Sequence, residues 1–462
     1  MSSILDISVI TTAILGIVCM LLEMLNLRKL VWTVSILGLS AIFYCNLAYG
    51  WGFNRGFYHN MILLDKFSVV FSGLLILLMF LILITSIDFY KREPTKISDY
   101  LSILIFTLCG ALALVSFGNL TMFFLGLEVM SISLYVLAGS NKRDERSNEA
   151  GMKYFLMGSF ASGILLFGIA LVYGETGTFD ILLIKNYIAN SAPSIMFYVG
   201  AGMILIAMLF KVSAVPFHFW APDVYEGSPT LVTMVMSTVA KIAAFAAFYR
   251  LFSGCLVSTL PLYKMILATV TVLTITLGSF TALNQDSFKR LLAFSGISNA
   301  GYILLAIVSL PGKTENALVY YSLAYGIATI GAFAVAIAVS TGTGSDKIAA
   351  FNGLGKRKPL LAAALTIAML SLSGIPPLAG FFGKYYIFSE AIRNGHIVLT
   401  VIAVINSIVG IYYYFKVIMA MYMKDGEGIA FAIAPSYSVV IFLCVMLILV
   451  VGICPWLFSQ LL

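Results

Sequence analysis

Residues 360–393 read LLAAALTIAMLSLSGIPPLAGFFGKYYIFSEAIR, and this stretch decides the fold. A straight helix of that length would be roughly 50 Å long, whereas the hydrocarbon core of a bilayer is about 30 Å thick. The break lies in Ser373-Gly374-Ile375-Pro376-Pro377, because proline removes backbone donors and glycine permits a bend. We therefore predict one broken membrane helix, since irregular backbone at membrane depth is tolerated only inside protein or beside a wet cavity.

The rest of the chain has the composition of a membrane protein. Of its 462 residues, 61% are hydrophobic and 10% are charged, which is too little charge to cover a soluble protein of this length. Apolar runs of roughly 20 residues, the length of a spanning helix, follow one another almost from end to end. The first run precedes many more and lacks a small-residue cleavage site, so it is interpreted as a membrane helix and not as a signal peptide. The predicted fold class is an all-α integral membrane protein with about fourteen transmembrane helices.

A second break and a weak internal similarity predict two repeats. Pro216 interrupts the predicted helix 196–216 just after Lys211, and Lys211 lies 173 residues before Lys384 of the other broken helix. Two broken helices in corresponding halves are typical of transporters whose path runs between repeats. The predicted division is three N-terminal helices in residues 1–99, five-helix repeats (helices 4–8 and 9–13) in 100–252 and 253–423, and a last helix in 424–462.

Basic residues divide unevenly between the two sides of the predicted bundle. Of the 27 Lys and Arg residues, fifteen lie in loops after odd-numbered helices, seven lie on the other side and five lie inside helices. The positive-inside rule puts the loops rich in basic residues, such as the one with Lys142, Arg143 and Arg146, in the cytoplasm. Both termini are then predicted to lie outside.

Glu128 and Lys211 are predicted to form a buried pair. Glu128 lies nine residues into its helix, roughly 14 Å deep, where a carboxylate needs a cationic partner, a wet cavity or a proton. Lys211 lies beside the Pro216 break, where freed carbonyl groups and water can hold an ammonium. We expect the two side chains to lie within ion-pair distance or to share a water, and the alternative is an ion pair that only holds two helices together.

Lys241 and Lys384 also lie too deep to reach either surface easily. Lys241 is twelve residues past Pro229, and Lys384 is nine residues before Arg393, roughly 14 Å from the outer end. Burial disfavours the charged form of a lysine, so a lysine at such depth can exchange protons near neutral pH. The alternatives are a hydrogen-bonded packing role for Lys241 and a snorkelling or helix-capping role for Lys384.

Three further residues carry weaker signals. Lys153 lies four residues past Glu149 and can snorkel to the cytoplasmic face, and Lys416 lies seven residues before Met423, so snorkelling or pairing is its default role. His218 follows the Pro216 break and could shuttle protons at the cytoplasmic mouth, although a histidine that caps or packs is the stronger interpretation.

Several other site classes are disfavoured. The six cysteines form no CxxC motif, and three histidines are too few for a multi-haem or metal redox site. A carboxylate with several lysines does not bind a metal, because a protonated lysine has no free lone pair with which to coordinate a metal ion. The sequence shows no combination of a nucleophile, a base and a residue that orients the base, so a hydrolase site is not indicated. What remains is a set of groups that can hand protons along a water chain.

Specific motifs show a family resemblance over essentially the whole chain. The motifs are Gly126-Leu127-Glu128, Gly151-Met152-Lys153-Tyr154, Phe210-Lys211 through Trp220, Ala221-Pro222-Asp223-Val224-Tyr225-Glu226-Gly227-Ser228-Pro229, Lys289 through Ser298, and Ser373 through Lys384. With these motifs the chain resembles the N-type antiporter-like subunits of bacterial NADH–quinone oxidoreductase, respiratory complex I. Lys384 is unlike the related M-type subunits, which carry a glutamate on the broken twelfth helix.

The resemblance implies a role for each matching residue. Glu128 and Lys211 match the family's paired residues, Lys153 an input-side lysine, Lys241 the central lysine and Lys384 the exit-side lysine. It also implies that the two repeats are inverted. The predicted eleventh helix is rich in tyrosine, with Tyr320, Tyr321 and Tyr325, where related chains often carry a histidine. This difference leaves the middle of the proton path open.

The resemblance also implies a function and partners. The chain would be a proton-translocating subunit that couples quinone reduction elsewhere in the complex to proton movement, so it counts as part of a translocase. It would carry no redox centre or metal, with FMN, iron–sulfur clusters and quinone in other subunits. Its expected partners are the M-type subunit and small membrane subunits, with no nucleic acid, in the bacterial inner membrane.

Two alternatives remain at the level of sequence. One is a subunit of a multisubunit cation/proton antiporter or a membrane hydrogenase, which shares the same repeat. The other is a non-conducting structural subunit, in which the buried charges only fix helices.

Topology can be tested by cysteine labelling. We predict that Asp144→Cys, next to Lys142 and Arg143, is not labelled by a membrane-impermeant thiol reagent in intact cells and is labelled after permeabilisation, because the basic loop faces the cytoplasm. The unsubstituted chain, with its native cysteines, is the control. Labelling of the variant in intact cells would reverse the predicted orientation.

Overall fold

The computed structural model describes residues 8–52, 54–92, 97–310, 312, 314–426, 432–458 and 461. In this part of the chain the only sheet is an antiparallel hairpin of β1 (Arg55–Phe57) and β2 (Ile62–Leu64). The prediction of an all-α fold is confirmed, and the hairpin is an element that the sequence analysis did not predict.

The first half of the chain contains ten labelled helices. They are α1 (Ser8–Met24), α2 (Arg28–Gly50), α3 (Lys66–Phe89), α4 (Ile97–Ser116), α5 (Leu120–Ala138), α6 (Glu145–Thr176), α7 (Ile181–Asn190), α8 (Ile195–Lys211), α9 (Trp220–Gly227) and α10 (Thr230–Gly254).

The second half adds seven longer helices and short turns between them. They are α11 (Leu260–Leu283), α12 (Phe288–Val308), α13 (Glu315–Thr343), α14 (Pro359–Ser373), α15 (Ala379–Arg393), α16 (Ile397–Met423) and α17 (Pro435–Ile453).

Many of these helices can cross a membrane. Within the described ranges, eleven helices are long and apolar enough to do so, and α1, α8 and α14 are shorter apolar helices. The chain is therefore a multi-pass membrane protein, and the count of fourteen spans stays a prediction. The ten-residue helix α7, which the sequence analysis missed, begins at the cap residue Asp180, whose carboxylate accepts from two backbone N–H groups.

Both predicted helix breaks are confirmed. The first separates α8 from α9, and within it Ser213 has a φ of 60°. The second separates α14 from α15, where Gly374 has a φ of 86° and its N–H donates to the carbonyls of Leu370 and Ser371. Glycine suits this position twice over, because a Cβ there would also lie 3.0 Å from Cδ of Lys384.

The two lysines lie on opposite sides of their breaks. Lys211 is the last residue of α8, before its break, whereas Lys384 is the sixth residue of α15, after its break. These two lysines are 173 residues apart, but they do not occupy equivalent positions in the two broken helices. The prolines of the breaks, Pro216 and Pro377, are 161 residues apart.

Paired helix ends fit the two-repeat division better. The backbone of Asn119, which caps α5, forms an isolated β-bridge with Asp180. In the same way the backbone of Ser287, which caps α12, forms an isolated β-bridge with Lys347. These pairs are 168 and 167 residues apart. We propose on this basis that residues 100–252 and 253–423 are the two repeats, and five spans per repeat would invert the second relative to the first.

Three helices form the centre of the bundle. The membrane windows of α10, α12 and α13 are completely buried by the rest of the chain, whereas those of α2, α6 and α16 are one third buried or less. A helix that is apolar on all sides belongs in such a core. Polar groups in the middle of α10, α12 and α13 are therefore shielded from both lipid and bulk water, whereas Arg290 near the start of α12 is partly exposed.

The Gly374 break yields a prediction about stability. We expect Gly374→Ala to lower the melting temperature of the purified protein more than Gly344→Ala. Both positions have a positive φ, which costs an alanine about 1–2 kcal/mol, but only at Gly374 does the new methyl group also meet Lys384, while nothing lies within 4 Å of Gly344. Equal melting temperatures for the two variants would show that Lys384 does not pack against the break.

Candidate functional site

Glu128 and Lys211 lie on neighbouring helices but do not touch. The Glu128 carboxylate accepts a hydrogen bond from Ser162 of α6, whereas the Lys211 ammonium donates to Ser131, one turn further along α5. Although Glu128 still acts on Lys211 electrostatically, no ion pair joins these two described residues. The two groups form no direct ion pair, because Lys211 reaches the next turn of α5 while Glu128 faces α6, and a water shared between them stays a prediction.

A tyrosine lies between the two groups. The Tyr135 hydroxyl interacts with both Ser131 and Ser162, and the Lys211 ammonium lies 5.9 Å from the centre of the Tyr135 ring. A chain of hydroxyl groups thus joins Glu128 to Lys211. The sequence analysis missed these residues, although Ser131 and Tyr135 follow Glu128 at the spacing of one helix face.

Lys241 is the most deeply buried of the candidate lysines. It begins the segment of α10 that follows a π-turn over Met236–Ala240, and its side chain is 3% exposed. Its ammonium donates to the carbonyl oxygen of Gly296 in α12 at 2.9 Å, and the ring of Tyr225 lies 5.9 Å away. No carboxylate of the described residues forms an ion pair with Lys241.

Aromatic residues of α9 fill the space between Lys211 and Lys241. The ring of Trp220 stacks on Tyr154 at 4.7 Å, and its indole N–H donates to the carbonyl of Phe210. The Tyr225 hydroxyl donates to the carbonyl of Met236 in the π-turn. Trp220 of α9 thus packs on Tyr154, whose ring lies 5.7 Å from the Lys211 ammonium, and Tyr225 of α9 lies beside Lys241.

Lys384 uses the second break directly. Its ammonium donates to the carbonyl of Ser373 at 2.8 Å and to the hydroxyl of Ser407 at 3.0 Å, and it lies 4.9 Å from the centre of the Tyr302 ring. Ser373 is the last residue of α14, so its carbonyl has no partner within that helix. The break therefore supplies the oxygen that holds Lys384.

Lys153 belongs to a network of charges at the end of the bundle predicted to be cytoplasmic. It pairs with Glu149 at 2.6 Å and with Asp223 at 3.1 Å, and Arg290 pairs with Asp223 at 2.8 Å and with Glu226 at 3.0 Å. These residues line a cavity of about 280 Å³, which we call the mouth. The mouth joins α6, α9 and α12 and is open to solvent.

The two weaker candidates lie elsewhere. Lys416 donates to the carbonyl of Gln285 at 2.8 Å and lies 3.5 Å from Asp286, so it caps the end of α11 as its default interpretation predicts. His218 lies within the break between α8 and α9, beside the exposed ring of Phe219, and does not line the mouth. Its suggested role as a proton shuttle stays a prediction, and its contact with Phe219 fits the stronger interpretation of a histidine that packs.

Comparison with known proteins places this arrangement in a family. The family model described as "NADH:quinone oxidoreductase/Mrp antiporter, TM" matches residues 118–410. The NADH-quinone oxidoreductase subunit N of Flavobacterium psychrophilum is 47% identical over 96% of each chain, and that of Cytophaga hutchinsonii is 41% identical over 97% of each chain.

Solved structures show the same fold. A chain of respiratory complex I from Thermus thermophilus with bound aureothin matches with a TM-score of 0.84 at 32% identity, over 98% of both chains. A chain of the Mrp complex from Dietzia sp. DQ12-45-1b matches with a TM-score of 0.87 over 99% of this chain and 96% of that one, but at 21% identity it shows the fold alone. On the family model and the near full-length similarity to subunit N relatives, the chain belongs to the NADH:quinone oxidoreductase/Mrp antiporter family of membrane proteins.

Proposed function

We propose that this chain translocates protons across the membrane as a subunit of NADH–quinone oxidoreductase. One observation carries the proposal: Lys211, Lys241 and Lys384 are at most 8% exposed, and none forms an ion pair with any described carboxylate. Burying an ammonium without a counter-ion is costly, so such groups inside membranes mark proton or ion paths. Each lysine is instead held by hydroxyl or carbonyl oxygens, which leaves its proton exchangeable.

The proposed path has an order. Protons enter through the mouth at Lys153, where Asp223 and Glu149 hold positive charge near the surface. Glu128 and Lys211 form the next site, where the carboxylate acts on the ammonium electrostatically and Tyr135 interacts with the serine partners of both. Lys241 is the central site and Lys384 the exit site.

Charge repulsion links the sites to one another. A proton on one buried lysine raises the free energy of a proton on the next, so the sites titrate as a coupled set. A change of charge near Glu128 therefore alters the occupancy of Lys241 and Lys384 without any group crossing the membrane. His218 is a weak candidate in this scheme, since it lies in the break beside an exposed phenylalanine.

The redox chemistry is proposed to lie in other subunits. The part of the chain that the structure describes contains no group of three or more His, Cys, Asp or Glu residues that could hold a metal. FMN, iron–sulfur clusters and quinone would then bind elsewhere in the complex, next to M-type and small membrane subunits. We propose the bacterial inner membrane as the location, with both termini on the outer side.

Similarity separates this proposal from the antiporter alternative. The chain is 47% identical to a protein named NADH-quinone oxidoreductase subunit N, but 21% identical to the chain of the Mrp complex. The cation/proton antiporter alternative is therefore the weaker one. The structural-subunit alternative is separated only by experiment.

Substitution of the deep residues tests the proposal. We expect Lys241→Ala and Glu128→Ala each to lower proton pumping and quinone reduction by about tenfold or more, because each removes a proton site. NADH oxidation by ferricyanide should persist, since electrons enter through other subunits. Pumping is measured in reconstituted vesicles alongside both electron-transfer rates, with Lys416→Ala as a milder control because Lys416 only caps α11.

The outcomes separate the alternatives. Assembled Lys241→Ala complex that pumps at the wild-type rate would remove Lys241 from the path. The cavity left by the alanine should cost only a few kcal/mol, so failure of both variants to assemble would favour the structural-subunit alternative.

A further inference from the structure

A cluster of uncharged polar residues fills the core between Lys241 and Lys384. Its members come from α12, α13 and α16, and every one is at most 5% exposed. We call it the hydroxyl cluster, and it consists of Ser295, Asn299, Tyr302, Tyr321, Tyr325 and Tyr414.

The cluster begins at a small gap over Gly296. A methyl group on Gly296 would lie 3.2 Å from the Lys241 ammonium and 3.2 Å from the Tyr325 hydroxyl. Both groups therefore face the same space and are no more than roughly two hydrogen-bond lengths apart. A space of this size between polar groups suits one bridging water, which the carbonyl of Gly296 can also bind.

Tyr414 is the centre of the cluster. Its hydroxyl forms a hydrogen bond with the hydroxyl of Ser295 and accepts one from the amide of Asn299 at 3.3 Å. Tyr325 interacts with it electrostatically. The hydroxyl of Tyr321 donates to the amide oxygen of Asn299 at 2.7 Å, so the amide nitrogen is the end that faces Tyr414.

The cluster ends at Lys384. The Tyr302 hydroxyl interacts with Ser407 and lies within the electrostatic reach of Tyr414. Ser407 in turn accepts a hydrogen bond from the Lys384 ammonium, which also lies over the Tyr302 ring. Polar groups thus lie along the space between the two lysines, with Tyr414 in electrostatic contact with Tyr325 and with Tyr302.

We infer that the hydroxyl groups of Tyr325, Tyr414, Ser295, Tyr302 and Ser407 relay protons between Lys241 and Lys384, and that Gly296 keeps open the gap where the relay begins. This inference rests on the proposed function and names the groups of its central segment. Asn299 and Tyr321 act as positioning residues, because they orient Tyr414 without passing the proton on.

The proton balance closes without a further reactant. The Lys241 ammonium gives its proton to the first oxygen, each hydroxyl group accepts one proton as it releases its own, and the neutral Lys384 amine takes the last one. The hydroxyl groups then rotate back to restore their hydrogen bonds. A hydroxyl group both donates and accepts, so this segment needs no fixed charge in a core that would make such a charge costly.

Matched substitutions in the intact complex test the relay. We expect Gly296→Ala and Tyr414→Phe each to lower proton pumping and coupled quinone reduction by about tenfold or more, with NADH–ferricyanide activity unchanged. Tyr320→Phe is the control, because Tyr320 is a neighbouring buried tyrosine of α13 whose hydroxyl donates instead to the carbonyl of Val451 in α17. It should pump at close to the wild-type rate.

A second readout separates a relay from a structural role. In a Ser295→Ala variant, which removes one hydroxyl group from the relay, the residual pumping should show a larger solvent deuterium isotope effect than the wild type. If the Tyr414→Phe complex does not assemble, the isotope effect and the pumping rate of Ser295→Ala still test the relay. An isotope effect and a pumping rate equal to those of Tyr320→Phe would overturn the relay.

The relay and the proposed function fail in different ways. If Lys241→Ala abolishes pumping while Gly296→Ala and Tyr414→Phe pump like Tyr320→Phe, the relay is rejected and the lysine path stands. If Lys241→Ala itself pumps at the wild-type rate, the proposed function is rejected together with the relay.

Discussion

The free energy of holding an ammonium group in a core without a carboxylate partner governs the rest of this structure. Lys211, Lys241 and Lys384 each meet that cost with oxygen atoms of hydroxyl and carbonyl groups. Such oxygens stabilise the charged form only in part, whereas a carboxylate in contact would fix it. The buried positions therefore remain able to release a proton, which a path through a membrane requires.

Irregular backbone supplies one of these oxygen atoms and positions an aromatic residue beside another lysine. The end of α14 presents the Ser373 carbonyl to Lys384, and the break before α9 brings Tyr225 next to Lys241. The π-turn of α10 presents the carbonyl of Met236 to the Tyr225 hydroxyl. The Lys241 ammonium is held by the Gly296 carbonyl of a continuous helix, and a helix break adds carbonyl oxygens that have no partner within their helix.

Sequence reasoning predicted the membrane fold, both helix breaks and the burial of Lys241 and Lys384, because apolar length, proline and charge leave strong local signals. It did not predict how Lys211 is held, since the reach of one side chain to Ser131 instead of Glu128 depends on helix packing. Serine and tyrosine are common in membrane helices, so nothing local marked Tyr135, Ser295 or Tyr414. The spacing between lysines was also misleading, because the residues that recur between the proposed repeats are helix caps and breaks.

A structure of the intact complex with ordered water molecules tests the central claim most directly. The account predicts a water molecule in the gap over Gly296, within hydrogen-bond distance of both the Lys241 ammonium and the Tyr325 hydroxyl. It also predicts that waters and hydroxyl groups together leave no apolar interruption between Lys241 and Lys384. A dry gap at Gly296, closed by apolar side chains in every state of the complex, would contradict it.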